Sequence, residues 1–537
     1  MKRMNVVPRL LIGLVLAHAV FAQAPNGRLE PAKRKPNLSD PFFAKGEVPR
    51  FKIVIAPEEL AKLKEAPREY VEAVLKENDK VVFEGVGIKL KGAAGSFREI
   101  DDRPAFTVDL DKFGGDKTFR DLKKFHLNNA VQDDSYCHDL LGSEIYFAAK
   151  YPAVRVTHAR VWLNDKDLGL YVLKETFDPQ FLGRHFVKTN GSFFDGGFCQ
   201  DIDGELEKLS GPKKNDRSDL KALIEAARDP DPAQRFKNLE ARLDIDGFLT
   251  FTALELMLGH WDGYGQNRNN YRIYIEPTTK KAWFLPHGMD QLFGDPDASV
   301  LEYPAATVTE AVLRNPEWRA RFRKKITDLL PLFGAKEKLV PRIEQIKERL
   351  EPVLKAMDPA SPGQHGGAIR GLKDRLFARE KSLKEQAKQP EPKSLPFGPN
   401  GVAKLQGFSP ATEAGQPKLE QTTIGRKRAL GIVADGKEPV VAQWRKKVML
   451  PKGRYALEAA VKVSDFAPLE GDQPSGAILR ASGEIKPGVV DAADFKPASV
   501  EFEVLEESRL VDLYLEFRAA KGAAYFELAT IRLVKKP

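Results

Sequence analysis

The stretch from Asp246 to Gly294 constrains this chain more than any other. Its first part, Asp246 to Leu258, is an apolar run with the length and continuity of a buried helix. It opens into His260-Trp-Asp-Gly263 and a polar loop carrying Asn267, Asn269 and Asn270. Two β-forming runs follow, Tyr271–Ile275 and Ala282–Leu285, joined through the turn signal Pro277-Thr-Thr-Lys280. A hairpin of that length brings the chain back on itself, so Asp290 returns toward the loop that holds Asp262 and Asn270. Two carboxylates and an amide then converge at one end of the hairpin. Hard oxygen ligands of this type suit Mg2+ or Mn2+ bridging phosphate oxygens. Phosphoryl transfer needs such a metal, together with a carboxylate that orients or deprotonates the acceptor hydroxyl. Each of these residues taken singly is also compatible with a turn or helix cap. His260-x-Asp262 and His287-x-x-Asp290 are further compatible with the His/Asp metal set of a hydrolase.

The rest of the chain divides by composition. With 537 residues it exceeds one compact domain, and 42% hydrophobic and 30% charged residues are globular values. The net charge of +9 is spread without a dominant Lys/Arg stripe, which argues against a nucleic-acid partner. Residues 1–22 read as a secretory signal: Lys2, Arg3 and Arg9 precede an apolar run, Leu10 to Phe21, with cleavage expected after Ala22. That run is too short to span a bilayer, and no later segment reaches the ~20 apolar residues of a membrane helix. An exported protein follows. Residues 23–48 form a Pro-rich linker, and a folded domain is expected over 49–388. A second Pro-rich linker, 389–400, leads to a module over 401–537 whose alternating β-formers and turns are the pattern of a sandwich. Its Trp444 and Tyr455 fit either the core or a sugar-stacking platform, so carbohydrate is a possible partner there. Cys137 and Cys199 are too few for a disulfide framework; a pair between them and a buried Cys137 thiol both remain open.

Several motifs share an order and spacing. Gly87-Ile-Lys-Leu-Lys-Gly92 runs into a Gly/Ser turn, and Leu127-Asn-Asn129 is followed by Asp133-Asp-Ser135. Leu163-Asn164, Gly169-Leu-Tyr171 and Glu175 form a hairpin motif, and Pro286-His-Gly-Met-Asp290 precedes Phe293-Gly294. In these respects residues 50–330 resemble the spore coat protein H (CotH) kinases. The resemblance implies an α+β fold: an atypical protein-kinase-like domain, here followed by an all-β, jelly-roll-like sandwich. It implies ATP and Mg2+ or Mn2+ as cofactors. It makes Asp262 the catalytic carboxylate and Asn270 with Asp290 the metal pair. Lys91, Ser96 and Arg103 would hold the nucleotide phosphates, and Glu175 would position the nucleotide. The acceptor would be a hydroxyl, of protein Ser/Thr or another molecule. One departure stands out: the family pattern Pro-Trp-Asp-x-Asp has His287 and Gly288 in place of its Trp and first Asp. Arg103 in place of a Lys is a second, since Arg forks phosphate but does not titrate. These departures leave open a kinase-like protein without turnover that binds a surface glycan or protein.

Overall fold

The computed structural model describes residues 37–302, 304, 306–471, 473–482 and 488–537. The expected signal and the first part of the expected linker lie outside the described residues.

The first lobe is a seven-stranded closed barrel. A short helix, α1 (Ser39–Lys45), precedes β1 (Arg50–Val54), α2 (Pro57–Glu65), β2 (Val71–Glu77) and β3 (Val81–Lys91). Then come β4 (Ala105–Asp109), β5 (Lys124–Asn128), α3 (His138–Ala148), β6 (Val156–Leu163) and β7 (Lys166–Glu175). The strands run β1-β2-β3-β4-β5-β7-β6, and β1 closes the ring by pairing parallel to β6, Phe51 opposite Val161. Ordered packing begins earlier than the expected linker boundary at 48. Phe42 of α1 is buried edge-on against Phe119 at 5.2 Å, and Phe119 in turn meets Phe51 at 5.2 Å. Two adjacent phenylalanines in a short helix have nowhere drier to go.

Strand alternation decides which barrel residues look outward. On β3, Ile88 and Leu90 fill the interior while Lys89 and Lys91 face the second lobe. On β7, Tyr171 and Leu173 point into the barrel, whereas Leu170 and Val172 join the core of the second lobe. Lys174 therefore faces the cleft and Glu175 does not.

The second lobe begins with α4 (Pro179–His185), β8 (Ser192–Asp195), β9 (Lys208–Ser210), α5 (Ser218–Arg228) and α6 (Pro232–Arg242). It continues through α7 (Ile245–Leu258), α8 (Tyr264–Asn267), β10 (Tyr271–Ile275) and β11 (Ala282–Pro286). Four further helices, α9 (Thr307–Leu313), α10 (Pro316–Leu329), α11 (Val340–Lys355) and α12 (Ser361–Ala387), complete it. The expected hairpin is β10–β11, extended by β8 and β9 into an antiparallel sheet of order β11-β10-β8-β9. Every residue of α7 except Asp246 is buried, as its uninterrupted apolar sequence requires. It ends on Gly259 in the left-handed region, φ +66°. Arg379 of α12, itself buried, donates to its last carbonyls, Leu256 at 2.6 Å and Met257 at 3.1 Å.

The C-terminal strands are β12 (Val402–Lys404), β13 (Ser409–Ala414), β14 (Lys418–Ile424), β15 (Lys427–Ala434) and β16 (Val440–Ala467). After them come β17 (Gly476–Ala481), β18 (Ala492–Ala519), β19 (Lys521–Glu527) and β20 (Arg532–Lys536). They form one curled sheet rather than two separate ones. The 28-residue β16 pairs along its length with β13, β18, β19 and β20 and shifts register between Pro451 and Gly453. The Pro and the Gly, which normally break a strand, are absorbed by that shift. Trp444 and Tyr455 are buried in this core; the indole N–H donates to the Gly431 carbonyl at 3.2 Å.

The curled sheet is fastened to the second lobe by charge. Arg235 pairs with Glu506, both buried, and Arg509 reaches Glu310 at 3.2 Å. Arg319, 1% exposed, donates to Ser508 at 2.9 Å and pairs with Glu391 of the Pro-rich segment. That segment is laid along the sheet, with Leu395 N–H bonded to the Met449 carbonyl at 2.8 Å. Cys137 is buried, Cys199 is exposed, and both are free thiols. Among the described residues no helix is long and apolar enough to cross a membrane.

Candidate active site

A cleft of about 590 Å³ lies between the barrel and the second lobe. Lys91, Ser96, Asp262, Asn270 and Asp290 all line it. The barrel contributes a basic wall and the second lobe an oxygen-rich one, because the outward faces of β3, β5 and β7 meet the α7–β10 loop and the end of β11.

The loop after α7 carries Asp262, and three carboxamides orient it. Asn267 Nδ2 donates to Oδ1 at 2.5 Å, Asn270 Nδ2 to Oδ2 at 2.7 Å, and Asn269 Nδ2 to both oxygens at 3.1–3.2 Å. Each carboxylate oxygen thus accepts two amide N–H bonds. Asn270, at φ +49°, stands in the left-handed region that Asn tolerates best among non-glycine residues. Its Nδ2 is committed to Asp262, which leaves Oδ1 as its free acceptor.

The β11 end supplies Asp290. Gly288, φ +54°, packs against Asn270: a Cβ there would sit 2.2 Å from Asn270 Oδ1. His287 N–H donates to the Asn270 carbonyl at 2.9 Å, and the Asp290 carbonyl meets His138 Nδ1 at 2.9 Å. Burial raises the Asp290 carboxyl above the usual carboxylate range; the Asp139 carboxylate pushes the same way, and Lys174 and Lys91 oppose it.

On the basic wall, Lys91 Nζ donates to Asn128 Oδ1 at 2.5 Å. Burial, with Lys174 nearby, brings its ammonium down to about 8. Ser96 sits on the turn after β3, where its Oγ accepts from the Ala93 N–H at 3.2 Å. The remaining two candidates do not line the cleft. Arg103 turns to the Leu170 carbonyl at 2.5 Å and stacks over Tyr171. Glu175, on the inward face of β7, is buried between Arg155, at 2.8 Å, and Arg184.

Lys174, Arg272 and Asp195 also line the cleft and carry no motif signal. Lys174 pairs with Asp139 of α3 at 2.5 Å, both nearly fully buried, and Asp139 also accepts the Met289 N–H at 3.1 Å. Arg272 of β10 pairs with Asp195 of β8 at 2.8 Å. A lone Lys closing the apolar run Leu-Tyr-Val-Leu was the available clue for Lys174, since a buried amine needs a partner. The hydrolase alternative finds no support in the geometry: His260 is buried with Nε2 against the Gly288 carbonyl at 3.2 Å. No cluster of three or more His, Cys, Asp or Glu side chains able to hold a metal occurs among the described residues.

The family model described as CotH kinase protein matches residues 88–380, more than half of the chain. The chain belongs to the CotH kinase family. Within that family, Invasin CotH2 of Rhizopus delemar is 24% identical over 290 residues, covering 47% of this chain and 49% of the invasin. Inner spore coat protein H of Bacillus subtilis is 23% identical over 335 residues, covering 58% of this chain and 89% of that protein. The chain spans about half the length of the two invasins it matches first, CotH2 (49%) and CotH3 (48%). The Helicobacter pylori proinflammatory kinase CtkA overlaps 56% of this CotH chain and 98% of its own at 8% identity and a TM-score of 0.27, too low to carry an argument.

Proposed function

We propose that this CotH-family chain is an exported kinase that transfers the ATP γ-phosphate to a hydroxyl, with protein Ser/Thr as the favoured acceptor class. The observation that carries the reading is the single cleft in which Asp262, Asn270 and Asp290 face Lys91 and Lys174. The residues fit a nucleotide with a divalent cation. Lys91 and Lys174 are cations on the wall that would meet phosphate oxygens. Asn270 Oδ1 and the Asp290 carboxylate are the oxygen donors for Mg2+ or Mn2+, ions usually held by one or two carboxylates plus substrate phosphates. The cation would neutralise charge developing on the phosphate oxygens.

Asp262 orients the acceptor hydroxyl and takes its proton as the new O–P bond forms and the bond from the γ-phosphorus to the β-phosphate oxygen breaks, releasing ADP. Its oxygens already accept two amide bonds each, so the hydroxyl replaces one of them, from Asn267 or Asn269 on Oδ1. Lys91 and Lys174 hold the phosphates in line, and burial keeps water from competing. The spore-coat and invasin names of the relatives support an exported location.

The full amide cradle of Asp262 and the glycine at 288 favour a second reading, a nucleotide-binding domain without turnover. Labelled ATP with Mg2+ or Mn2+ separates the two. Asp262→Asn should keep the fold and nucleotide binding yet slow transfer by about 10²-fold or more. Asp290→Asn should weaken metal-dependent ATP binding as well. Equal, nonzero rates in wild type and Asp262→Asn reject the catalytic assignment. ATP binding with no transfer in either supports the second reading.

A further inference from the structure

Beyond Asp246 at its first turn, α7 carries one ionisable side chain, Glu255, in a helix otherwise buried and apolar. Glu255 is 3% exposed and makes no ion pair closer than the 3.9 Å to His260 Nδ1. A carboxylate so placed is costly unless hydrogen bonds compensate it. The compensation comes from the loop that follows the helix. Oε1 accepts the Tyr264 N–H at 2.8 Å and Oε2 the Gly265 N–H at 3.1 Å. The loop is shaped to the carboxylate: a Cβ at Gly263 would stand 2.3 Å from Oε1, and one at Gly265 would stand 3.3 Å from Oε2.

The contact is transmitted in two directions. Gly263 follows Asp262 directly, and its carbonyl accepts the Asn267 N–H at 3.1 Å and the Asn269 N–H at 3.3 Å. The turn gripped by Glu255 therefore also anchors two of the three carboxamides that cradle Asp262. On the other side, His260 lies beside Glu255 and turns Nε2 to the Gly288 carbonyl, two residues before Asp290. Its Nδ1 is buried without a hydrogen-bond partner.

We propose that Glu255 is a positioning residue for Asp262: from inside α7 its carboxylate fixes the 263–265 turn, and His260 ties that turn to the Asp290 segment. The role rests on the kinase reading of Asp262. Burial lifts the Glu255 carboxyl to about 8, and the Tyr264 and Gly265 N–H donors pull it back toward the charged form.

Hydrogen exchange on the full chain, beside transfer kinetics, tests this. Glu255→Gln leaves one acceptor oxygen and sets an NH2 against the second N–H. Exchange over Trp261–Asn270 should rise by about tenfold or more, while barrel and curled-sheet amides keep their rates. The turnover number should fall by about tenfold with KM for ATP within about twofold. Gly263→Ala, which crowds the same carboxylate from the loop side, should give the same pattern. Unchanged loop exchange in both variants overturns the proposal. So does a uniform loss of protection with turnover per folded molecule intact, the mark of a purely structural residue. If wild type transfers no phosphate, the kinase reading falls, and the exchange result still decides whether Glu255 holds the Asp262 loop.

Discussion

Gly288 and Asn270 are in steric register: the space a Cβ would need at 288, 2.2 Å from Asn270 Oδ1, is already taken by that carboxamide. The missing acidic side chain of the family's first Asp is thus tied to the way Asn270 is seated here. With φ +54° at 288, a side chain is unfavourable on backbone grounds as well.

Gly288→Ala should therefore lose stability by about 2–4 kcal/mol, of which roughly 1–2 kcal/mol is left-handed backbone cost. Adding Asn270→Ala should return the steric part, so the pair is non-additive in a denaturant double-mutant cycle. Strict additivity would mean the two residues do not compete for this space.

Lys91 gives a pH signature. Its ammonium is held down to about 8, so the charge that would meet phosphate on the proposed reading is present at neutral pH and lost as pH rises through that value. ATP affinity, followed by calorimetry, should decline on the alkaline side. A bound anion favours the charged form and moves the decline somewhat higher. Lys91→Arg should flatten the profile, because a guanidinium does not titrate there.

The Lys174–Asp139 pair joins β7 to α3 beneath the cleft. Asp139→Asn strands a buried ammonium and should cost about 3–5 kcal/mol in chemical unfolding. Replacing both by Met and Leu should restore much of that stability yet leave phosphoryl transfer impaired. Full activity in the double variant would remove Lys174 from the phosphate wall.

The seam between second lobe and curled sheet predicts coupled unfolding. Glu506→Gln leaves Arg235 buried without its counter-charge and should destabilise by about 3 kcal/mol. Wild type should melt in one calorimetric transition. Two resolved transitions in wild type would show that the charged seam does not couple the units.

Local pattern made much of this architecture legible. The hairpin from Tyr271 to Pro286, the apolar α7 and the convergence of Asp262, Asn270 and Asp290 on one cleft follow from periodicity and turn chemistry. What escaped depends on partners far apart in sequence. Lys174 and Asp139 are 35 residues apart, and nothing local says that α3 lies under β7. Glu175 and Arg103 sit in motif-like surroundings, but strand alternation and the Leu170 carbonyl turn them from the cleft. The barrel closure of β1 on β6 is likewise invisible to a window of neighbouring residues.

Helix α3 has a dynamic consequence. It is continuous in sequence with β5 and β6 of the barrel, yet Leu140, Leu141, Ile145 and Tyr146 belong to the core of the second lobe. Swinging the lobes apart would tear that shared core and expose it to water, a cost that ordinary lid motions avoid. The exposed turn that carries Ala93 and Ala94 borders the cleft beside Lys91 and lies outside that shared core. On the kinase reading proposed above, the shared core of α3 would hold the jaws of the cleft together while a nucleotide enters or leaves.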